Sequence, residues 1–401
     1  MWNPVSVAVL ALVTVLAPLM AQAEGGGFWD TQRTGANSFN RSPSLQPFGE
    51  ARRLGLGFMR LTFTKWASAK RDFLIGDVSD YRGLVQEDLK ILRGVLDGAA
   101  KQGIGIILTP LSLPGSRWRQ FNGAKNDLRL WQDKTWWNQA ASFWKDLAFE
   151  LNGHPAVVGF NILNEPAPDL ASGLAEEAGA EDRDTWCRNA TGTASDLDAF
   201  YRKVVASIRS ADASTPIILD AGFYTQPMAI RCLKPIDDGS VLYSVHLYEP
   251  YEFTSHFNKG KFQYPGDVTY GEKTEFWDRE RLQIHLAPLL EWATQWKVPT
   301  DRLMIGEFGC YRRNRGCATY LSDTITLLNE KGLHWAFYGF REDEWDGYDY
   351  EVGSGPLPDT YWDAVDRGET PTRPRPGSPM SDVIRAGLAP PPAARSVRSG
   401  Q

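Results

Sequence analysis

The sequence predicts an α/β protein folded as a single (β/α)8 TIM barrel. Three observations point there. Short apolar segments alternate about eight times with amphipathic helical ones, the pattern of a parallel α/β architecture. Two of the apolar segments stop abruptly in carboxylate-bearing runs, as strands do at the carboxyl rim of a barrel. The first strand is followed by no Gly-rich phosphate-binding turn, since residues 35–37 read Gly-Ala-Asn, and this disfavours a doubly wound open sheet.

Residues 1–23 read as an export signal. Residues 5–20 are apolar apart from small or polar interruptions, and Ala21-Gln22-Ala23 fits a small-x-small cleavage site. The run is short for a membrane span and contains Pro18. It has no Lys or Arg before it, and an uncleaved anchor is the alternative. The barrel domain then occupies residues 24–389, and the Pro/Ala/Arg/Ser-rich stretch 390–401 reads as an unstructured tail.

Within the domain, residues 35–39 form the first strand, 45–54 a helix, and 57–62 the second strand, which carries Arg60. A polar loop holding Trp66, Lys70, Arg71 and Asp72 follows. Segment 86–102 is an amphipathic helix with Leu89, Leu92, Val95, Leu96 and Ala99 on one face. The third strand, 104–108, opens into a loop with Trp118 and Trp131, and 136–152 is helical. The fourth strand is the β-branched run from Val157, fully buried in character. It ends at Asn164-Glu165-Pro166, because Pro166 has no N–H to continue the pairing.

A polar insertion reaches to about residue 193. Helix 197–210, strands 217–220 and 241–246, and helix 279–296 come next, with a kink expected at Pro288. The seventh strand, 303–309, carries Glu307. Helix 320–331, an eighth strand at 335–338 and a closing helix at 381–386 complete the order.

A chain of 401 residues with 42% hydrophobic and 12% aromatic content has ample core, which excludes a disordered protein. A net charge of −6 and the lack of a long basic stripe argue against nucleic acid as a partner. Fifteen tryptophans serve packing, and their flat faces also suit sugar rings. Four cysteines suit an exported protein. Cys310 and Cys317 flank a basic turn where a local bridge would leave Cys187 to Cys232, although four cysteines allow three pairings. A zinc site is disfavoured by the spacing and by the absence of nearby His.

The chemistry rests on Glu165 and Glu307, which the topology sets at strand ends facing each other across the barrel mouth. Glycoside cleavage with retention needs two carboxyl groups about 5–5.5 Å apart. One protonates the departing oxygen and then activates water, and the other attacks the anomeric carbon. Carboxylates that merely cap helices or pair with Arg are the bland alternative.

Asn164-Glu165-Pro166 after an apolar strand, with Ile305-Gly306-Glu307-Phe308-Gly309 later in the chain, resembles glycoside hydrolase family 5, a retaining (β/α)8 family. The likeness runs from Gly35 to about Tyr350. It implies that Glu165 is the acid/base and Glu307 the nucleophile. Arg60 matches the family's arginine, and an Arg at the nucleophile would keep it ionised; a rim salt bridge is its other reading. Asn164 matches the amide that binds the sugar 2-hydroxyl, with an Asx-type turn as the alternative. Val245-His246-Leu247-Tyr248 resembles the family's His-x-Tyr, which implies that Tyr248 orients the nucleophile and His246 lines the cleft beside the acid/base. His154, His256, His285 and His334 are read as structural.

Two departures from the family pattern stand out. Residues 108–115 read Leu-Thr-Pro-Leu-Ser-Leu-Pro-Gly and lack the family's His after the third strand. The aromatic platform of the eighth strand is also displaced: Trp335 comes too early, leaving Tyr338, Phe340 or Trp345. The acidic and aromatic loop 341–350 reads as a sugar subsite including Trp345, with calcium binding or a plain solvated loop as alternatives. Trp66 and Trp118 are outer-subsite candidates, or packing residues.

The expectation is an exported, secreted or periplasmic, retaining glycoside hydrolase acting on a β-linked glucan, endo-β-1,4-glucanase-like. No cofactor or metal is needed for its chemistry. Its partner is a β-linked oligo- or polysaccharide, not nucleic acid and, after signal cleavage, not a membrane. Mannan, xyloglucan and a glycoside with a non-sugar aglycone are the alternative substrates. A barrel that only binds polysaccharide is the alternative from another class.

Overall fold

The computed structural model describes residues 27–174, 178–369 and 371–388. The expected export signal and the tail from 390 lie outside them. Ten strands follow in chain order: β1 (Thr34–Ser38), β2 (Phe58–Leu61), β3 (Gly105–Leu108), β4 (Val157–Asn161), β5 (Ile217–Asp220), β6 (Val241–Leu247), β7 (Gly266–Tyr270), β8 (Lys273–Trp277), β9 (Leu303–Phe308) and β10 (His334–Phe337). All except β7 and β8 close into one barrel in the order β1-β10-β9-β6-β5-β4-β3-β2. The pairings are parallel throughout, as expected of a (β/α)8 barrel.

Both faces of these strands are covered, which is why they read as near-continuous apolar runs. One core lies between the strands and the surrounding helices. A second lies inside the barrel, where Trp29, Phe58, Ile107, Ile218, Leu242, Met304 and Ala336 form a separate buried cluster. Each such large side chain contributes roughly 1.5–3 kcal/mol on burial.

A strand repeats its facing every two residues. Two positions past the inward Phe58, Ile218 and Leu242, the chain therefore brings Arg60, Asp220 and Ser244 to the next layer, and all three are buried. The barrel is thus apolar below and polar at its carboxyl end.

One irregularity is decisive for the site. Along β6 and β9, Val245 pairs with Ile305 but His246 pairs with Glu307, so Gly306 is an extra residue on its strand. A bulge of this kind re-aims the side chain beside it, and here it sets Glu307 next to His246. A Cβ at Gly306 would lie 2.6 Å from Ser244 Oγ and 2.9 Å from His246 Nε2, so only glycine fits.

The structure adds elements that the sequence pattern did not signal. β7 and β8 form an antiparallel hairpin. The insertion after β4 carries a 3-10 turn, Pro168–Ser172, and a helix, Ala180–Ala190. A further helix spans Asp359–Asp366. The helix Arg279–Trp296 runs on through Pro288. The disulfides are Cys187–Cys232 and Cys310–Cys317, with Cα atoms 5.3 and 5.7 Å apart. The first ties the insertion helix to the segment after β5. The second anchors the stretch just beyond Glu307 to the start of the helix Cys317–Glu330. Among the described residues, no helix is long and apolar enough to cross a membrane.

Candidate active site

Glu165 and Glu307 come together at the carboxyl rim. Glu165 lies just past β4 with φ +48°, a left-handed conformation that non-glycine residues adopt at a cost of order 1–3 kcal/mol. Its backbone N–H points at Asp220 Oδ2, 3.4 Å away. His246 Nδ1 is 2.8 Å from Glu165 Oε1 and 3.9 Å from Glu307 Oε2. A side-chain oxygen of each carboxylate and the imidazole nitrogen all lie within 4.8 Å of one another. That spacing is close to the roughly 5–5.5 Å of a retaining pair.

Arg60 is wholly buried beneath them. Its Nη1 donates to Glu307 Oε1 at 2.8 Å, to Asn37 Oδ1 at 2.7 Å and to the Gly306 carbonyl at 3.1 Å. Its Nη2 donates to Asn161 Oδ1 at 2.7 Å and Asn164 Oδ1 at 2.9 Å, and lies 3.5 Å from Asp220 Oδ2. This is an interior hub rather than a rim salt bridge. The Tyr248 hydroxyl donates to Glu307 Oε2 at 2.8 Å. Asn164 is held from its other side by its N–H, which donates to the Pro110 carbonyl at 3.0 Å.

The two carboxyls differ electrically. Burial pushes Glu165 up to about 8, with the Asp220 anion adding to the effect and Arg60 opposing it. Glu307 is also raised, by burial first and by the neighbouring Glu165 carboxylate, against the pull of His246, Arg60 and the Tyr248 hydroxyl. Only Glu307 receives direct bonds from a guanidinium and a phenol. Charge-assisted bonds favour the ionised form, so these contacts favour the negative charge on Glu307. Burial lowers His246, against the opposing pull of Glu307 and Asp220, and so favours the neutral imidazole.

A cavity of about 250 Å³ opens over Glu165 and Glu307, walled by Phe39, Lys65, Leu111, Trp118 and Tyr338 among others. Leu111 stands in the stretch where the family's His was expected. Of the aromatic candidates near β10, Tyr338 lines this cavity. Phe340 is buried against Phe337. Trp345 stands outside the wall: 36% exposed, it rests edge-on to Tyr348 at 5.2 Å and parallel to Tyr311 at 6.1 Å. Trp66 is a packing residue, buried with its Nε1 on the Asn40 carbonyl at 3.0 Å.

The acids of loop 341–350 differ from the expected sugar subsite. Asp343 accepts from the backbone N–H of Arg41 and Ser42, and Glu344 pairs with Arg41 and Lys65. Asp346 pairs with the buried Arg312, and Asp349 with Arg375 at 2.6 Å. Asp343 is thus held by backbone N–H groups, while Glu344, Asp346 and Asp349 meet cations from other parts of the chain, and together they brace the loop. Among the described residues, Glu165, His246 and Glu307 form a group of three potential metal ligands, and the guanidinium already on Glu307 disfavours a cation there.

Asn37, Asn161 and Asp220 complete the site and were not singled out from the sequence. Asp220 had a readable signal: it ends β5 two positions beyond the inward Ile218.

A family model described as Cellulase (glycosyl hydrolase family 5) matches residues 47–344. Endoglucanase C of Acetivibrio thermocellus is 22% identical over 339 residues, covering 78% of this chain and 87% of that protein. The structure resembles that of endoglucanase Cel5A from Thermotoga maritima, with a TM-score of 0.60 and 17% identity over 91% of this chain and 100% of that one. That enzyme has also been solved with cellobiose and with mannotriose. Endoglucanase Cel5A of Pseudomonas stutzeri is similar at a TM-score of 0.57 and 18% identity, over 92% of this chain and 96% of that one.

Proposed function

The chain belongs to the cellulase family, glycosyl hydrolase family 5, and is a retaining glycoside hydrolase; we propose that it cleaves β-linked glucan, with Glu307 as nucleophile and Glu165 as acid/base. Glu307 attacks the anomeric carbon while the bond from that carbon to the departing oxygen breaks, and Glu165 gives its proton to that oxygen. Water then attacks the glycosyl ester, Glu165 takes up the water's proton, and Glu307 leaves as a carboxylate.

The remaining contacts serve these steps. Arg60 and Tyr248 hold the attacking oxygen and its charge. His246 steadies Glu165 through the 2.8 Å contact. Asn164 has its Oδ1 occupied by Arg60, which leaves its NH2 end to donate to the sugar 2-hydroxyl. The observation that carries the reading is the close carboxyl pair with a buried cation on one member alone. The relatives' names favour glucan as substrate, and the mannotriose complex of a structural neighbour keeps mannan as the second reading. The two disulfides suit work outside the cytoplasm.

The test is a panel of barley β-glucan, carboxymethylcellulose, mannan and xyloglucan, with new reducing ends counted and the first product anomer read by NMR. Release of the β-anomer from a β-1,4-glucan is the expected result. No hydrolysis of any β-glucan, or an initial α-anomer, would refute it.

Proton position makes a second expectation. Glu165 must be protonated, so kcat/KM should fall as pH rises through about 8. Asp220 helps keep that proton in place, so Asp220→Asn should move the alkaline limb to lower pH. An alkaline limb that stays put in this variant would show that Asp220 has no such part.

A further inference from the structure

Glu165 stands between two cavities. In the reading of the site just given, on which this inference rests, the smaller one holds the sugar attacked by Glu307. The other has a volume of about 450 Å³ and shares Leu111, Trp118, Gln120, Asn164 and Glu165 with it. A proton donor faces the oxygen that departs, so the departing group occupies this second cavity.

Its wall is largely apolar. Leu111, Leu128, Leu163 and Leu170 form it with Trp118 and Trp131. The charged groups within it are already engaged: Arg117 Nε and Nη2 donate to Asp72 at 2.9 and 2.7 Å, and Asp127 accepts from Arg129 at 2.8 and 2.7 Å. Of the remaining polar lining side chains, Arg119, Gln120 and Asn126 are exposed, Asn164 and Glu165 belong to the catalytic wall, and Ser116 and Tyr224 add one hydroxyl each. A pyranose seated on the leucine side of this wall would turn hydroxyls toward Leu111, Leu128, Leu163 and Leu170, which offer them no hydrogen bond, and that is costly. A hydrocarbon would displace water there at a gain.

We propose that this cavity is an aglycone site for apolar groups, so that the enzyme releases an alkyl or aryl aglycone from a β-linked glucosyl or oligoglucosyl unit more readily than it releases a further sugar. The insertion after β4 supplies Leu170, and the long loop after β3 supplies Leu128 and Trp131, so this preference comes from parts added to the barrel.

The test uses alkyl β-cellobiosides from methyl to hexyl. The alcohols released have nearly the same basicity, so bond-breaking is constant and chain length is read by binding. Each methylene that enters the cavity is expected to raise kcat/KM about three- to fourfold. Leu170→Asn should flatten that slope, with Leu128→Asn as the second variant should the first not fold. A flat series from a wild-type enzyme that cleaves cellotetraose overturns the aglycone assignment and leaves the catalytic reading standing. Cleavage of neither the cellobiosides nor any glucan overturns both.

Discussion

Replacing Glu307 with Gln is expected to lower kcat on β-glucan by at least about 10,000-fold. An amide is a poor nucleophile, and this one would face a buried guanidinium that had lost its anion. The contacts that hold position 307 are the 2.8 Å bonds from Arg60 and Tyr248, and a Gln carbonyl can accept only part of them. Some loss of thermal stability should therefore accompany the loss of rate, so the rate must be measured on protein shown to be folded. A sharper version uses Glu307→Gly with azide. A small anion in the space beside Arg60 attacks from the nucleophile's side, so the product should be the α-glycosyl azide. Undiminished hydrolysis by Glu307→Gln, or no azide product from a folded Glu307→Gly, would remove Glu307 from that role.

Glu165→Gln should behave differently. Loss of a general acid costs about 100- to 10,000-fold on unactivated glycosides. On a dinitrophenyl glycoside, whose leaving group needs no proton, the first step should be nearly spared and a burst of dinitrophenol should precede slow turnover. The same substitution has a stability signature with a definite sign. The folded carboxyl keeps its proton up to about pH 8, whereas its ordinary value is 4.5. Between those values folding takes up a proton, so wild-type stability falls as pH rises through the window. With about a fifth of the side chain exposed, the penalty is smaller than full burial would impose. Glu165→Gln should thus be no less stable than wild type at pH 8 while being far less active. An equal loss of activity on activated and unactivated substrates would contradict the acid/base assignment.

The barrel and the residues gathered at its carboxyl rim were legible in the sequence for one reason. Buried parallel strands leave uninterrupted apolar runs, and a run that ends in Asn-Glu-Pro or Gly-Glu-Phe announces its rim. Arg60, Asn164, His246 and Tyr248 occupy strand ends of the same kind, and the structure brings them to one point with Glu165 and Glu307. What the pattern could not show was contact between distant segments. Asp343, Glu344, Asp346 and Asp349 look like a polar binding loop until Arg41, Lys65, Arg312 and Arg375 are seen against them. Trp345 reads as a platform by its position, yet its ring packs on Tyr311 and Tyr348. The hairpin β7–β8 escaped notice because only Val268 and Trp277 among its residues are buried, too few to mark a strand pattern.

The hub at Arg60 has one more consequence. In the proposed mechanism Glu307 loses its negative charge on esterification by sugar, which would strand a permanent cation in a water-poor interior. Asp220, which is wholly buried with its Oδ2 3.5 Å from the same guanidinium, would then be the carboxylate left beside it. On that reading, the persistence of the glycosylated state would answer to an acid set beneath the two glutamates.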